Sequence, residues 1–130
     1  MRILQPPDWV RPKGYSNGIA TKGAMVFVSG MVGWNHEGKF VAKDFVGQTR
    51  QALENIVAVL KEADAKPEHI ARLTWYVLDR PEYLAARAEI GAIYREIIGR
   101  NFPAMTVVEV SGLLESEARL EIEVTAVVPK

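Results

Sequence analysis

The strongest constraint on this chain lies near its C-terminus, where Leu120, Ile122, Val124 and Ala126 alternate with Glu121, Glu123, Thr125 and Val127. A period of two marks a strand with one face against a core, so the apolar set is assigned to the packed side of a sheet. The expected strand runs from Ala118 to Val128. The segment before it, Ala104 to Val110, is apolar on both parities, with Thr106, Val108 and Val110 on one and Met105, Val107 and Glu109 on the other. Leu73 to Leu78 is bulky at nearly every position, as a central strand covered on both faces would be.

Two helices are expected between these strands. Asp44 is a good N-cap, and Phe45, Ala52, Leu53, Ile56, Val57, Leu60 and Ala63 keep helical spacing until Pro67 forbids continuation. Asp79 with Glu82 forms a capping box, Pro81 sits harmlessly in the first turn, and Tyr83, Ala86, Ile90, Ile93 and Ile97 carry a second helix to Gly99. Upstream, Ala24 to Ser29 reads as a strand paired with Tyr15 to Ala20 across the turn Thr21-Lys22-Gly23. Asn35 to Lys39 is turn chemistry between Met31–Trp34 and Phe40–Val41, which suggests an irregular second ribbon.

The expected fold is therefore α+β in the order β-β-α-β-α-β-β, with two helices on one face of the sheet. Its other face needs a partner. With Met105, Val107 and Val127 placed there among carboxylates, that face is too apolar for solvent and too charged for a monomer core, which points to a homo-oligomer.

No repeat, linker or low-complexity tract divides the chain, so residues 1–130 are expected to form one domain. At 130 residues, 48% of them hydrophobic, folding buries roughly two thirds of the unfolded surface, and no disulfide or metal staple is required. Lys and Arg number 16 and Asp and Glu also 16, so no net field draws the protein to nucleic acid or anionic lipid. Arg11, Lys13 and Lys22 form only a mildly basic stretch, read as a solvated face.

The absence of cysteine removes thiolate zinc sites and thiol catalysis, and it suits a reducing, cytoplasmic setting. His36 and His69 stand far apart with no ligand spacing, so no metal site is expected. Ser29 has no His or Asp at a spacing that would suggest a serine hydrolase triad. The N-terminal MRILQPPDWVRPKG lacks the apolar run of a signal peptide, and no segment reaches the ~20 apolar residues of a membrane span.

Five segments in order carry a resemblance: Gly14-Tyr15 with Gly18; Val28-Ser29-Gly30; Gln48-Thr49-Arg50-Gln51-Ala52-Leu53-Glu54-Asn55; Asn101-Phe102-Pro103-Ala104 with Val108-Glu109-Val110; and Leu120-Glu121-Ile122-Glu123-Val124. Over nearly its whole length the chain resembles the RidA family, also called YjgF or L-PSP. The resemblance implies a chorismate-mutase-like fold, a homotrimer whose sheets form a central barrel, and ligand sites in the clefts between subunits. Members with the full motif hydrolyse reactive enamines or imines to keto acids and ammonia without a cofactor.

The resemblance assigns Glu121 as the pocket carboxylate that orients and deprotonates water, and gives Tyr15, Ser29 and Gly30 substrate contacts. It also exposes a departure. The family's arginine two residues past the proline is Met105 here, and its frequent cysteine two residues on is Val107, so the pocket floor is apolar. A thioether cannot make the paired, charge-assisted bonds of a guanidinium to a carboxylate. The asparagine that some family members carry on the second helix is not placed in this chain, and Gly91 lies near that position.

Plainer readings stand beside these. Glu121 could be a solvated or barrel carboxylate, Tyr15 a half-buried packing residue and Ser29-Gly30 a strand end. Met105 reads as an apolar wall or interface filler. Trp34 is placed either as a pocket wall or against the N-terminal arm, Trp75 in the core and His36 in an exposed turn. Parity puts Glu121 on one face with Glu123, and Met105 is expected to join them, making a common site there available. A cation from elsewhere, Arg87 or Arg119, would restore recognition of a carboxylate.

The leading expectation is a hydrolytic deaminase of a reactive enamine, imine or related small metabolite. The alternative is a non-catalytic, small-molecule-binding regulator using the same cleft. A third reading, the endoribonuclease activity described for some L-PSP members, has the zero net charge and missing basic stripe against it.

Overall fold

The structure, a computed structural model, describes residues Met1–Lys130. Its strands are β1 (Arg2–Leu4), β2 (Gly18–Ala20), β3 (Ala24–Met31), β4 (Ile70–Val77), β5 (Ala104–Glu109) and β6 (Leu120–Val128). Helix α1 (Phe45–Lys61) follows β3, a 3-10 turn at Pro67–His69 leads into β4, and α2 (Arg80–Ala85) and α3 (Arg87–Ile97) connect β4 to β5. The main sheet has the order β3-β6-β4-β5. β6 is antiparallel to both of its neighbours, and β4 and β5 are parallel, joined by the helical crossover that parallel strands require.

The alternation in β6 is realised as expected, with Leu120, Ile122, Val124 and Ala126 in the core and Glu123 exposed. The helices cover only this apolar side, α1 packing on β3, β6 and α3. Strand β4 is buried at Ile70, Leu73, Trp75 and Val77, whereas Thr74 and Tyr76 are only half-buried. Within one chain β4 is thus covered on one face and not on both.

Helix α1 begins at Asp44, whose carboxylate accepts the Gly47 N–H at 3.0 Å. Pro67 is not what ends it. Asp64 adopts φ 54°, and the Ala65 N–H bonds Leu60 C=O at 3.0 Å while the Asp64 N–H bonds Lys61 C=O at 3.1 Å, a left-handed closure of the last turn. Asp79 caps α2 through the Glu82 N–H at 3.1 Å, and Glu109, at the end of β5, accepts the Arg80 N–H at 2.7 Å. The expected second helix is broken at Ala86 into α2 and α3.

Two expected ribbons do not form. β2 pairs with β1, not with β3. Ser16 explains this. Its hydroxyl is bonded to Phe102 C=O, its N–H donates to Pro103 C=O at 3.0 Å, and it bridges Ala104, so the arm is carried to the β5 side of the molecule. Residues 32–44 contain no strand, though the turn is there: Asn35 Oδ1 accepts the Glu37 and Lys39 N–H groups at 2.9 and 3.0 Å.

Candidate functional site

The chemistry-bearing residues divide between the two faces of the sheet. Register decides which go where. Met105 lies opposite Leu73 and Val107 opposite Trp75, so both inherit the helix side and pack against the core. Thr106 and Val108 take the open side with Thr74, Tyr76 and Glu123. The common face expected for Met105 and Glu121 is therefore incorrect. Both parities of β5 are apolar, so its own pattern could not fix the register. Of the apolar residues expected on the open face only Val127 is there, paired with Met25; Phe27 and Val108 join them, and Phe27 is 71% exposed.

On the helix side, Tyr15, Met105 and Val107 share a cavity of about 570 Å³ between the start of the chain, β4–β5 and the helices α2 and α3. The Ser16 latch places Tyr15 there. Tyr83 meets the Trp75 ring edge-on at 6.2 Å, and Tyr94 stacks on Phe102 at 6.2 Å. Burial raises the phenol pKa of both Tyr83 and Tyr94 above the ordinary value. Trp75 is 2% exposed and its Nε1–H is the only buried side-chain polar atom without a hydrogen-bond partner, an arrangement that costs about 1–3 kcal/mol.

Three cations, Lys13, Arg87 and Arg95, also line this cavity, and no carboxylate does. None of the three is in an ion pair. Arg119, by contrast, is bonded to Glu82 at 2.8 Å. Of the two cations considered from sequence, only Arg87 is therefore in the right place.

On the open face, Glu121 lies against Gly30. A Cβ at Gly30 would come within 2.1 Å of Glu121 Oε2, so only glycine lets the carboxylate lie there without displacement. This contact sits at the bulge in the β3–β6 ladder between Val28 and Met31. Glu121 forms no ion pair. Its neighbour Glu123 accepts a 2.6 Å bond from the Tyr76 hydroxyl, which, more than burial, raises the pKa of that phenol. Ser29 lines a depression of about 340 Å³ on this side with Phe27, Arg72, Thr74 and Glu123.

Trp34 joins neither group; it does not line the helix-side cavity, and its ring lies 5.8 Å from Phe40 across the Asn35 turn. His36 is exposed, as expected. Two residues of consequence escaped sequence reasoning. Ser16 stands in a polar Tyr-Ser-Asn-Gly stretch with nothing to mark it as buried, and the Trp75 N–H was hidden by the ordinary core reading of a tryptophan.

Comparison with known proteins places this geometry in a lineage. The family model described as Endoribonuclease L-PSP matches residues 10–128. The chain belongs to the L-PSP family. Among its relatives in that family is a RutC family protein of Haemophilus influenzae, 36% identical over 105 residues, which are 81% of this chain and 80% of that protein. A 2-iminobutanoate/2-iminopropanoate deaminase of Salmonella typhimurium is 34% identical over 105 residues, 81% of this chain and 80% of the enzyme. The crystal structure of the Rid-family protein YyfB of Yersinia pestis superposes with a TM-score of 0.85 at 34% identity, covering 98% of both chains.

The long L-PSP-family motif from Gln48 to Asn55 has a structural role in this chain. Gln48 is fully buried; its amide donates to Ala42 and Glu117 C=O at 3.2 and 3.0 Å, and its Oε1 accepts the Arg119 N–H at 2.7 Å. Asn55 donates to Val32 and Trp34 C=O at 3.1 and 2.8 Å. These amides tie down the loop that follows Gly30 and the segment that precedes Glu121.

Proposed function

We propose that the protein is a hydrolytic deaminase of a reactive imine or enamine, working in clefts between identical subunits of a trimer. Side chains on opposite faces of one sheet cannot converge on one small molecule within a chain. A site that uses both Glu121 and the cavity of Tyr15, Met105 and Val107 must therefore take Glu121, Ser29 and Gly30 from one subunit and the cavity from the next. The exposed Phe27 and Met25, on the same face of the sheet as Glu121, provide apolar surface for such an interface.

The observation that carries this reading is the Glu121 carboxylate, held against the Gly30 backbone and unpaired, in a family with deaminase-named relatives at about a third identity. A carboxylate so placed can take a proton from water as the water oxygen bonds to the C=N carbon. Glu121 passes that proton to the nitrogen; the carbinolamine hydroxyl then gives up its proton to the amine as the C–N bond breaks, and a keto compound and ammonia leave. Tyr15, Ser29 and the backbone at Gly30 hold the substrate during these transfers.

The test is the lifetime of a freshly generated 2-imino acid, followed with and without the purified protein. Acceleration is expected, and Glu121→Gln should lower it about 10²- to 10⁴-fold while leaving the circular dichroism spectrum unchanged. No acceleration across small, branched and aromatic imines would overturn the deaminase reading. Met105, which offers no donor to a carboxylate, favours the second reading of binding without turnover. Metabolites would then raise the melting temperature and be recovered unchanged.

A further inference from the structure

The cavity beside Met105 carries more recognition chemistry than a small aliphatic imine can use. Five aromatic rings line it, belonging to Tyr15, Trp75, Tyr83, Tyr94 and Phe102, within about 570 Å³. Lys13, Arg87 and Arg95 stand around it unpaired, with no carboxylate of the same chain to neutralise them. The Arg95 guanidinium is folded back along α3, its Nη1 3.4 Å from where a Cβ of Gly91 would be. Gly91 is itself unusual. Glycine inside a helix is unfavourable relative to alanine, yet here it sits on the cavity wall, where any side chain would take up space. Finally, the buried Trp75 Nε1–H has no partner in the protein and belongs to a ring that lines the same cavity.

We propose that this cavity selects an anion with an aromatic body, of the 2-imino or 2-oxo acid class. Its carboxylate is met by Arg87 and Arg95 with Lys13 nearby, and its ring packs among the aromatic walls, the Trp75 indole included. Cations on α3 and on the arm thus supply the charge that Met105 does not, and the apolar Met105–Val107 floor accepts a ring in place of a short aliphatic chain. A four-carbon substrate would leave much of the cavity unfilled and the rings unused. The proposal rests on the site reading above only in using the same cavity; it does not depend on turnover.

Calorimetric titration with phenylpyruvate, 2-oxobutanoate and phenethylamine tests it. Phenylpyruvate is expected to bind at least tenfold more tightly than 2-oxobutanoate, and the amine, which has the ring but the opposite charge, should not bind measurably. The double variant Arg87→Gln/Arg95→Gln should weaken phenylpyruvate at least tenfold. Gly91→Leu, a helix-favouring change that fills the cavity, should abolish binding while the protein stays folded. The Trp75 indole N–H resonance should move when phenylpyruvate is added.

Equal affinity for the two acids, binding of the amine, or an unchanged affinity in the double variant would each overturn the proposal. The imine assay separates it from the deaminase reading. Turnover of small imines without preference for phenylpyruvate sinks the proposal and leaves the deaminase standing. Tight phenylpyruvate binding with no turnover of any imine, that from phenylalanine oxidation included, does the reverse.

Discussion

The contact between Gly30 and Glu121 shows how a single hydrogen atom can position a catalytic candidate. Replacing Gly30 by Ala puts a methyl group where Glu121 Oε2 now lies. The flexible carboxylate can swing aside, so we expect Gly30→Ala to lose no more than about 1–3 kcal/mol of stability. Imine turnover, on the proposed mechanism, should fall about 10²-fold, because the Glu121 carboxylate is displaced by an ångström or more. Stopped-flow turnover beside thermal melting checks both halves. At this scale the sequence was partly legible. Glycine and glutamate were each recognisable as residues of interest from the family resemblance, but their touching depends on a bulge that no local pattern announced. The unpartnered Trp75 N–H was not legible at all, since a pattern of apolar positions identifies a buried ring and says nothing of what its nitrogen meets.

Among the elements, caps and periods are local signals, whereas strand partners depend on contacts distant in sequence. Asp44 and Asp79 cap the helices as their sequence context indicates, and the two-residue period of β6 assigns its faces correctly. The span of β5 is legible in the sequence but its faces are not, because its register comes from β4, a neighbour more than twenty residues away. β2 was given the wrong partner because Ser16 and β1 act at long range. The end of α1 offers a quantitative test. Asp64 holds a left-handed conformation that glycine adopts without steric penalty, so Asp64→Gly should stabilise the protein by about 0.5 kcal/mol despite the added backbone freedom of the unfolded chain. The melting temperature should rise by about 1–3 °C. The phenols of α2 and α3 provide another. Tyr83 and Tyr94 have pKa values raised by burial from an ordinary 10.0, so above that pH the unfolded chain gives up protons that the folded chain keeps. Their contribution is complete below pH 10 and is lost as pH climbs from there toward the folded values. A melting series from pH 9 to about pH 11.5 should therefore fall, and Tyr94→Phe should fall less steeply over that range.

At the level of the whole molecule, the one-sided helix layer and the order of elements from β2 onward could be argued from spacing, whereas β1 and the break between α2 and α3 could not. The number of subunits could not, because nothing in the periodicity of one chain encodes a rotation axis. One chain's sheet does separate these side chains, with Glu121 and Gly30 on one face and Tyr15 and Met105 on the other. That division has a genetic counterpart. A chain carrying Glu121→Gln keeps a good cavity, a chain carrying Gly91→Leu keeps a good carboxylate, and each alone should be inactive. Unfolded together and refolded, they should complement one another, with about a quarter of the clefts in a randomly mixed ring drawing both intact halves from different chains. Activity reappearing from two dead proteins, and absent when the same two substitutions share one chain mixed with nothing else, would be the mark of a site that no single copy owns.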